Sequence, residues 1–114
     1  MAGEVRMTLQ TLQVLQVLLD GPAEQHYGLK ISQASGLPTG SIYPILTRLE
    51  TAGWVTSARE DIDESAEGRR RRRYYQLTNE GATNARAEIV KAQRRLSTSP
   101  IADWLQTPQP GWEV

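Results

Sequence analysis

Cysteine and phenylalanine are absent from this chain, and histidine occurs once in its 114 residues. Without cysteine there can be no disulfide, no Cys-based zinc site and no thiol nucleophile. Long apolar runs are missing too. The most apolar stretch, Leu9 to Leu19, is broken by Gln10, Thr11, Gln13 and Gln16, and a membrane helix needs about 20 apolar residues. The opening Met-Ala-Gly-Glu-Val-Arg has no basic region followed by an apolar one, so no secretory signal is read and a cytoplasmic protein is expected. The single His26 falls in a loop and reads as a surface residue. Asp61-Ile62-Asp63-Glu64 lacks the ligand spacing and glycine of a calcium loop. No Ser-His-Asp set, glycine-rich phosphate loop or paired carboxylates occur. Neither an enzyme, a cofactor nor a metal is expected.

Net charge is absent as well: 13 basic residues balance 13 acidic ones. The balance conceals a segregation. Residues 1–60 carry 4 basic and 5 acidic side chains, and residues 79–114 carry 4 of each. Around the join, Glu60, Asp61, Asp63, Glu64 and Glu67 run straight into Arg69-Arg70-Arg71-Arg72-Arg73. Exposed charges are screened beyond roughly 10 Å at 0.1 M salt, so a local basic patch governs contact with a polyanion more than the chain total does.

The pattern of what is present is helical at both ends. Thr8 suits an N-cap for a helix reaching Leu19 or Asp20, stopped by Gly21-Pro22. Its stripe of Leu9, Leu12, Leu15, Leu18 and Leu19, flanked by Val14 and Val17, is wider than one core contact needs, which suits a central helix or one shared with a partner chain. After a loop over 21–26 and Tyr27-Gly28 comes a short helix, Leu29 to Ser35, ended by Gly36. A turn at 37–41 leads to a helix from Thr39 to Ala52. Its inner face is Ile42, Ile45, Leu46 and Leu49, and its outer face carries Ser41, Tyr43, Pro44, Thr47 and Arg48. The inner set and Trp54 are expected in the core. Trp54 to Arg59 reads as a strand and Arg72 to Leu77 as its antiparallel return across a long polar link, with Tyr75 and Leu77 facing inward. Thr78 caps the last helix. Ala82, Ala85, Ile89, Ala92 and Leu96 space its apolar positions 3-4-3-4, a seam of coiled-coil type. Ser99-Pro100 suits the start of a further short helix with Ile101, Trp104 and Leu105 on one face, within a proline-rich tail.

Three helices followed by a hairpin predict a mainly α fold with a small β-hairpin: a winged helix-turn-helix over 1–78, a dimerisation helix over 79–98 and a tail over 99–114. In that arrangement the second helix of the motif enters the major groove of double-stranded DNA, where every base pair is distinguishable, and the wing meets backbone or minor groove. Thr39–Ala52 is then the recognition helix and Arg59–Arg73 the wing. Strand side chains alternate, so the five arginines cannot share one face. Arg73 is expected to pair locally, and Arg69, Arg70 and Arg71 near the tip to meet phosphate.

Gly40-Ser41-Ile42-Tyr43-Pro44-Ile45-Leu46-Thr47-Arg48-Leu49-Glu50-Thr51-Ala52-Gly53-Trp54-Val55 and Gly68 through Gly81, together with Tyr27-Gly28, resemble the PadR family of bacterial repressors over about residues 8–96. The resemblance implies a homodimer joined through its first and last helices, here at Leu12, Leu15, Ala85, Ile89, Ala92 and Leu96. It implies DNA contacts from Ser41, Tyr43, Thr47 and Arg48, and from the wing arginines, and Thr39 at the start of the same helix is a further candidate. The short last helix resembles the compact branch of the family. Some compact members hold a planar aromatic effector against a C-terminal tryptophan. Trp104 is the candidate here, displaced beyond Pro100. The acidic stretch before the arginines departs from the pattern. Other readings stay open: a seam that packs within one chain, arginines that protect a solvated edge strand, and a winged-helix module that docks a protein without binding DNA.

Overall fold

The computed structural model describes residues 5–98 and residue 100. Helix α1 (Leu9–Leu19) starts where Thr8 accepts a hydrogen bond from the Thr11 amide at 3.1 Å. Strand β1 (His26–Tyr27) leads directly into α2 (Gly28–Ser35), which ends at Gly36 with φ 76°. Helix α3 (Thr39–Thr51) is followed by strand β2 (Val55–Arg59), the one-turn helix α4 (Glu64–Glu67), strand β3 (Arg73–Leu77) and helix α5 (Asn79–Ser97).

The core is assembled from the positions that helical periodicity marks. Leu15 and Leu18 of α1, Ile31 of α2, and Ile42, Leu46 and Leu49 of α3 are fully enclosed, and Val55, Tyr75 and Leu77 close the sheet side. Burial of each such side chain stabilises by roughly 1.5–3 kcal/mol. Tyr75 and Leu77 face inward as alternation requires. Trp54, expected in the core, is only half-buried and packs against its edge. Leu9, expected in the α1 stripe, is 73% exposed, whereas Thr11, which interrupts the stripe, is buried with its hydroxyl 3.0 Å from that of Thr8. That shared hydrogen bond removes the cost of burying the polar group.

Two features depart from the simple hairpin. The sheet has three strands in the order β1-β3-β2, because His26 and Tyr27 pair with Tyr75 and Tyr74. His26 is therefore not a surface loop residue. It is buried, with Nε2 2.8 Å from the Gly21 carbonyl oxygen, which ties the end of α1 to the sheet. The polar link between β2 and β3 also contains α4, capped by Asp63, whose Oδ1 accepts from the Ser65 and Ala66 amides, and closed by Gly68 at φ 67°.

Helix α5 enters the same core. Gly81 packs so closely on Trp54 that a Cβ there would overlap the Trp54 carbonyl. Thr78 holds this junction: its amide donates to the Trp54 carbonyl at 2.9 Å and its hydroxyl to that of Gly53 at 2.8 Å. Ala82 and Ala85 then pack into the core beside α1. Leu15 and Ala85, expected at a dimer interface, are thus enclosed by their own chain. The first half of the α5 seam is an intramolecular contact.

Candidate nucleic-acid interface

The recognition helix is set by the turn before it. The Ser32 hydroxyl donates to the Leu37 carbonyl, and the Leu37 amide donates to the Ser35 hydroxyl at 3.2 Å. The Pro38 carbonyl then accepts the Ser41 and Ile42 amides at 2.9 and 3.2 Å, which starts α3. With Ile42, Ile45, Leu46 and Leu49 buried, Thr39, Gly40, Tyr43, Pro44, Thr47 and Arg48 are all exposed and Ser41 is half-buried. The structure thus brings Thr39, Tyr43, Thr47 and Arg48 onto the solvent side of one helix. Thr47 donates its hydroxyl hydrogen to the Tyr43 carbonyl at 3.0 Å. Its lone pairs stay available to a donor outside the protein.

Tyr43 is held from below. Its ring lies over Gly28, and a Cβ at position 28 would stand 2.5 Å from the hydroxyl oxygen and 2.7 Å from two ring carbons. The glycine after Tyr27 is therefore a seat for the recognition-helix tyrosine, which stays 45% exposed.

The wing arginines divide into distinct environments. Arg69 forms a two-pronged ion pair with Glu60, at 2.7 and 2.9 Å, and also donates to the Arg70 carbonyl at 3.2 Å. Glu60 further accepts the Arg72 amide at 2.9 Å, so the clamp joins both legs of the wing. The hydrogen bond from Arg69 is the main cause that lowers the Glu60 carboxyl to about 2. Glu64 accepts the Arg71 amide at 3.1 Å, and the Arg71 Nε donates to the Ile62 carbonyl at 3.0 Å. The Arg72 guanidinium lies 5.6 Å from the centre of the Tyr27 ring, which meets Tyr74 edge-on at 6.3 Å.

Arg73 pairs locally, but with Ser57 and not with the acidic run: Nη1 donates to the Ser57 hydroxyl at 3.0 Å, and that hydroxyl donates to Glu50 at 2.7 Å. This relay connects the last turn of α3, β2 and β3, and so fixes the wing relative to the recognition helix. Arg59 stands directly opposite Arg73 across the strand pair. Arg59, Arg70, Arg71 and Arg73 line one shallow concavity with Glu64. Like charges in direct register repel, and a bound anion would relieve them. Sequence reading missed Gly28, Arg59, Glu60 and the Glu50–Ser57 relay. Trp104 lies outside the described residues.

Over residues 14–87 the sequence matches the transcriptional regulator PadR-like family. The chain belongs to that family. No curated protein matches it in sequence. Among solved structures, a PadR family transcription regulator from Clostridium difficile R20291 is 26% identical with a TM-score of 0.63, over 86% of this chain and 99% of that one. ZitR from Lactococcus lactis is 19% identical with a TM-score of 0.61. The match covers 84% of this chain but spans only 60% of the ZitR chain. A domain from Mycobacterium bovis described as a homodimeric winged helix-turn-helix DNA-binding domain is 23% identical with a TM-score of 0.56, over 80% of this chain and 74% of that one. The last two similarities concern fold alone. The family match, with the buried-inside, polar-outside α3, makes the chain a PadR-like regulator, and the shared fold is that of winged-helix proteins. None of its helices, among the described residues, is long and apolar enough to cross a membrane.

Proposed function

We propose that this PadR-like chain represses transcription as a cytoplasmic homodimer bound to a palindromic operator, with α3 in the major groove and the wing on flanking phosphates. The observation that carries the reading is the two-sidedness of α3. Its apolar face is wholly enclosed, while Tyr43, Thr47 and Arg48 are exposed beside a wing fixed to the same helix through Glu50, Ser57 and Arg73. Hydroxyl and guanidinium groups on a rigid helix suit base edges and adjacent phosphates. A protein-docking face would be more apolar at its centre, so the interaction-module alternative ranks second.

Dimerisation is supported by apolar surface on α1 and α5 that the chain does not enclose. Leu9, Val90 and Leu96 are exposed, and Leu12, Ile89 and Ala92 are half-buried. Footprinting of the purified protein on DNA flanking its own gene tests the proposal. Two protected half-sites about one helical turn apart are expected. Absence of any protected site across that region, with a duplex of random sequence bound equally well, would remove the operator from the account.

A further inference from the structure

Six arginines and five carboxylates share residues 59–73, a net charge of only one. Such a wing is a weak polycation unless the two signs are sorted in space. The structure sorts them. Both terminal nitrogens of Arg69 are engaged by Glu60, whose side chain is only 12% exposed, and Arg69 does not line the concavity formed by Arg59, Arg70, Arg71 and Arg73. Among the described residues, Arg59 and Arg70 have no side-chain hydrogen bond. Arg71 is anchored through Nε alone and Arg73 through Nη1, so each keeps guanidinium nitrogens for another acceptor.

We infer that Glu60 is a positioning residue that withholds Arg69 from the DNA backbone and so lowers the sequence-independent part of DNA affinity. The inference rests on the DNA-binding reading above. A phosphate that captured Arg69 would replace one two-pronged acceptor by another. It would also leave the Glu60 carboxylate with the Arg72 amide but without the cation that covers it. The hydrogen bond from Arg69 holds the Glu60 carboxyl at about 2, so Glu60 carries the charge that pairs with Arg69 throughout the physiological pH range. A phosphate contact strengthens operator and random sequence alike. Withholding one such contact therefore weakens binding to both, without touching the base contacts of α3.

The test compares the parent, Glu60→Gln, Arg69→Ala and the double variant by fluorescence anisotropy across a salt series. The probes are a random-sequence duplex and the duplex protected in the footprint. Glutamine keeps an acceptor for the Arg72 amide but loses the charge that holds Arg69. Glu60→Gln is expected to bind the random duplex more tightly, with the plot of log affinity against log salt steeper by about 0.9. Arg69→Ala alone should keep the parental slope, and the double variant should return to it. A slope flattened by about 0.9 in Arg69→Ala would mean that Arg69 already holds a phosphate, and would overturn the inference. So would a Glu60→Gln gain that survives in the double variant, because it would reflect general repulsion rather than release of Arg69. Should Glu60→Gln melt early, Arg69→Ala decides the matter alone, since it leaves Glu60 in place. A parent that binds neither duplex would instead sink the DNA-binding reading itself.

Discussion

Tyr43 and Gly28 show how a residue without chemistry can set one that has it. The tyrosine ring occupies the space a Cβ at position 28 would fill, so its hydroxyl is aimed by the backbone of α2. Gly28→Ala adds a helix-favouring residue to the first position of α2 and is expected to change melting little. The added methyl should nevertheless lift the ring and misdirect its hydroxyl. Tyr43→Phe removes only the hydroxyl, and a hydrogen bond to a charged phosphate is worth about 1.5–3 kcal/mol. Both variants should therefore lose operator affinity by about ten- to a hundredfold on that scale, measured by anisotropy on the protected duplex. If Gly28→Ala binds like the parent while Tyr43→Phe does not, the seat is only structural. Tyr27-Gly28 was visible as a pair in the sequence. The reason for the glycine was not, because it depends on a ring fifteen residues away.

At the scale of elements, the long periodic segments were legible and the short ones were not. The inward face of α3 and the alternation in β3 follow from apolar spacing, and the bounds of α1 from the Thr8 cap and the Gly21-Pro22 stop. Strand β1 has two residues, too few for a period, and exists because β3 offers it an edge. Its formation buries His26, which local reading left in a loop. Helix α4 is one turn, supported by Asp63 and by Glu64 on the Arg71 amide, so the acidic stretch is partly scaffold. The wing arginines looked equivalent as a run. Cross-strand pairing and partners seven to sixteen residues away separate them. The elements also predict different losses. Thr47→Ala and Arg48→Ala remove groups from the helix proposed to read bases and should lower operator binding by about 1–3 kcal/mol each, with little change on random sequence. Arg59→Ala with Arg70→Ala should weaken both duplexes and flatten the salt plot by up to about 1.8 if each touches one phosphate. Helix variants that weaken both duplexes equally would move base reading away from α3.

For the whole molecule the seam on α5 changes role along its length. Ala82 and Ala85 belong to the chain's own core, and Ile89 packs against its edge. Ala92 is half-buried and Leu96 is 55% exposed. The repeat spacing predicted one seam of coiled-coil type, with packing against a partner or within the chain both open. The fold divides it because the close approach of Gly81 to Trp54 presses the start of α5 onto the sheet and α1. In the proposed dimer the partner chain meets the distal half of α5 and the outer edge of α1, where Leu9 and Leu12 sit. Operator geometry makes this testable, since two recognition helices can occupy successive major grooves only if a dimer holds them about 34–36 Å apart. Sedimentation at micromolar concentration is expected to give twice the chain mass. Leu96→Glu should shift it to the monomer mass, because a carboxylate there would be buried at the interface without a partner. The same substitution sits outside the monomer core, so melting of the isolated chain should change little. Footprints of the variant should fade from both half-sites together, since one half-site alone offers half the contacts. A Leu96→Glu protein that still sediments as a dimer would move the interface elsewhere on the surface. A monomeric parent that protects one half-site would remove the palindrome and leave α3 reading DNA alone.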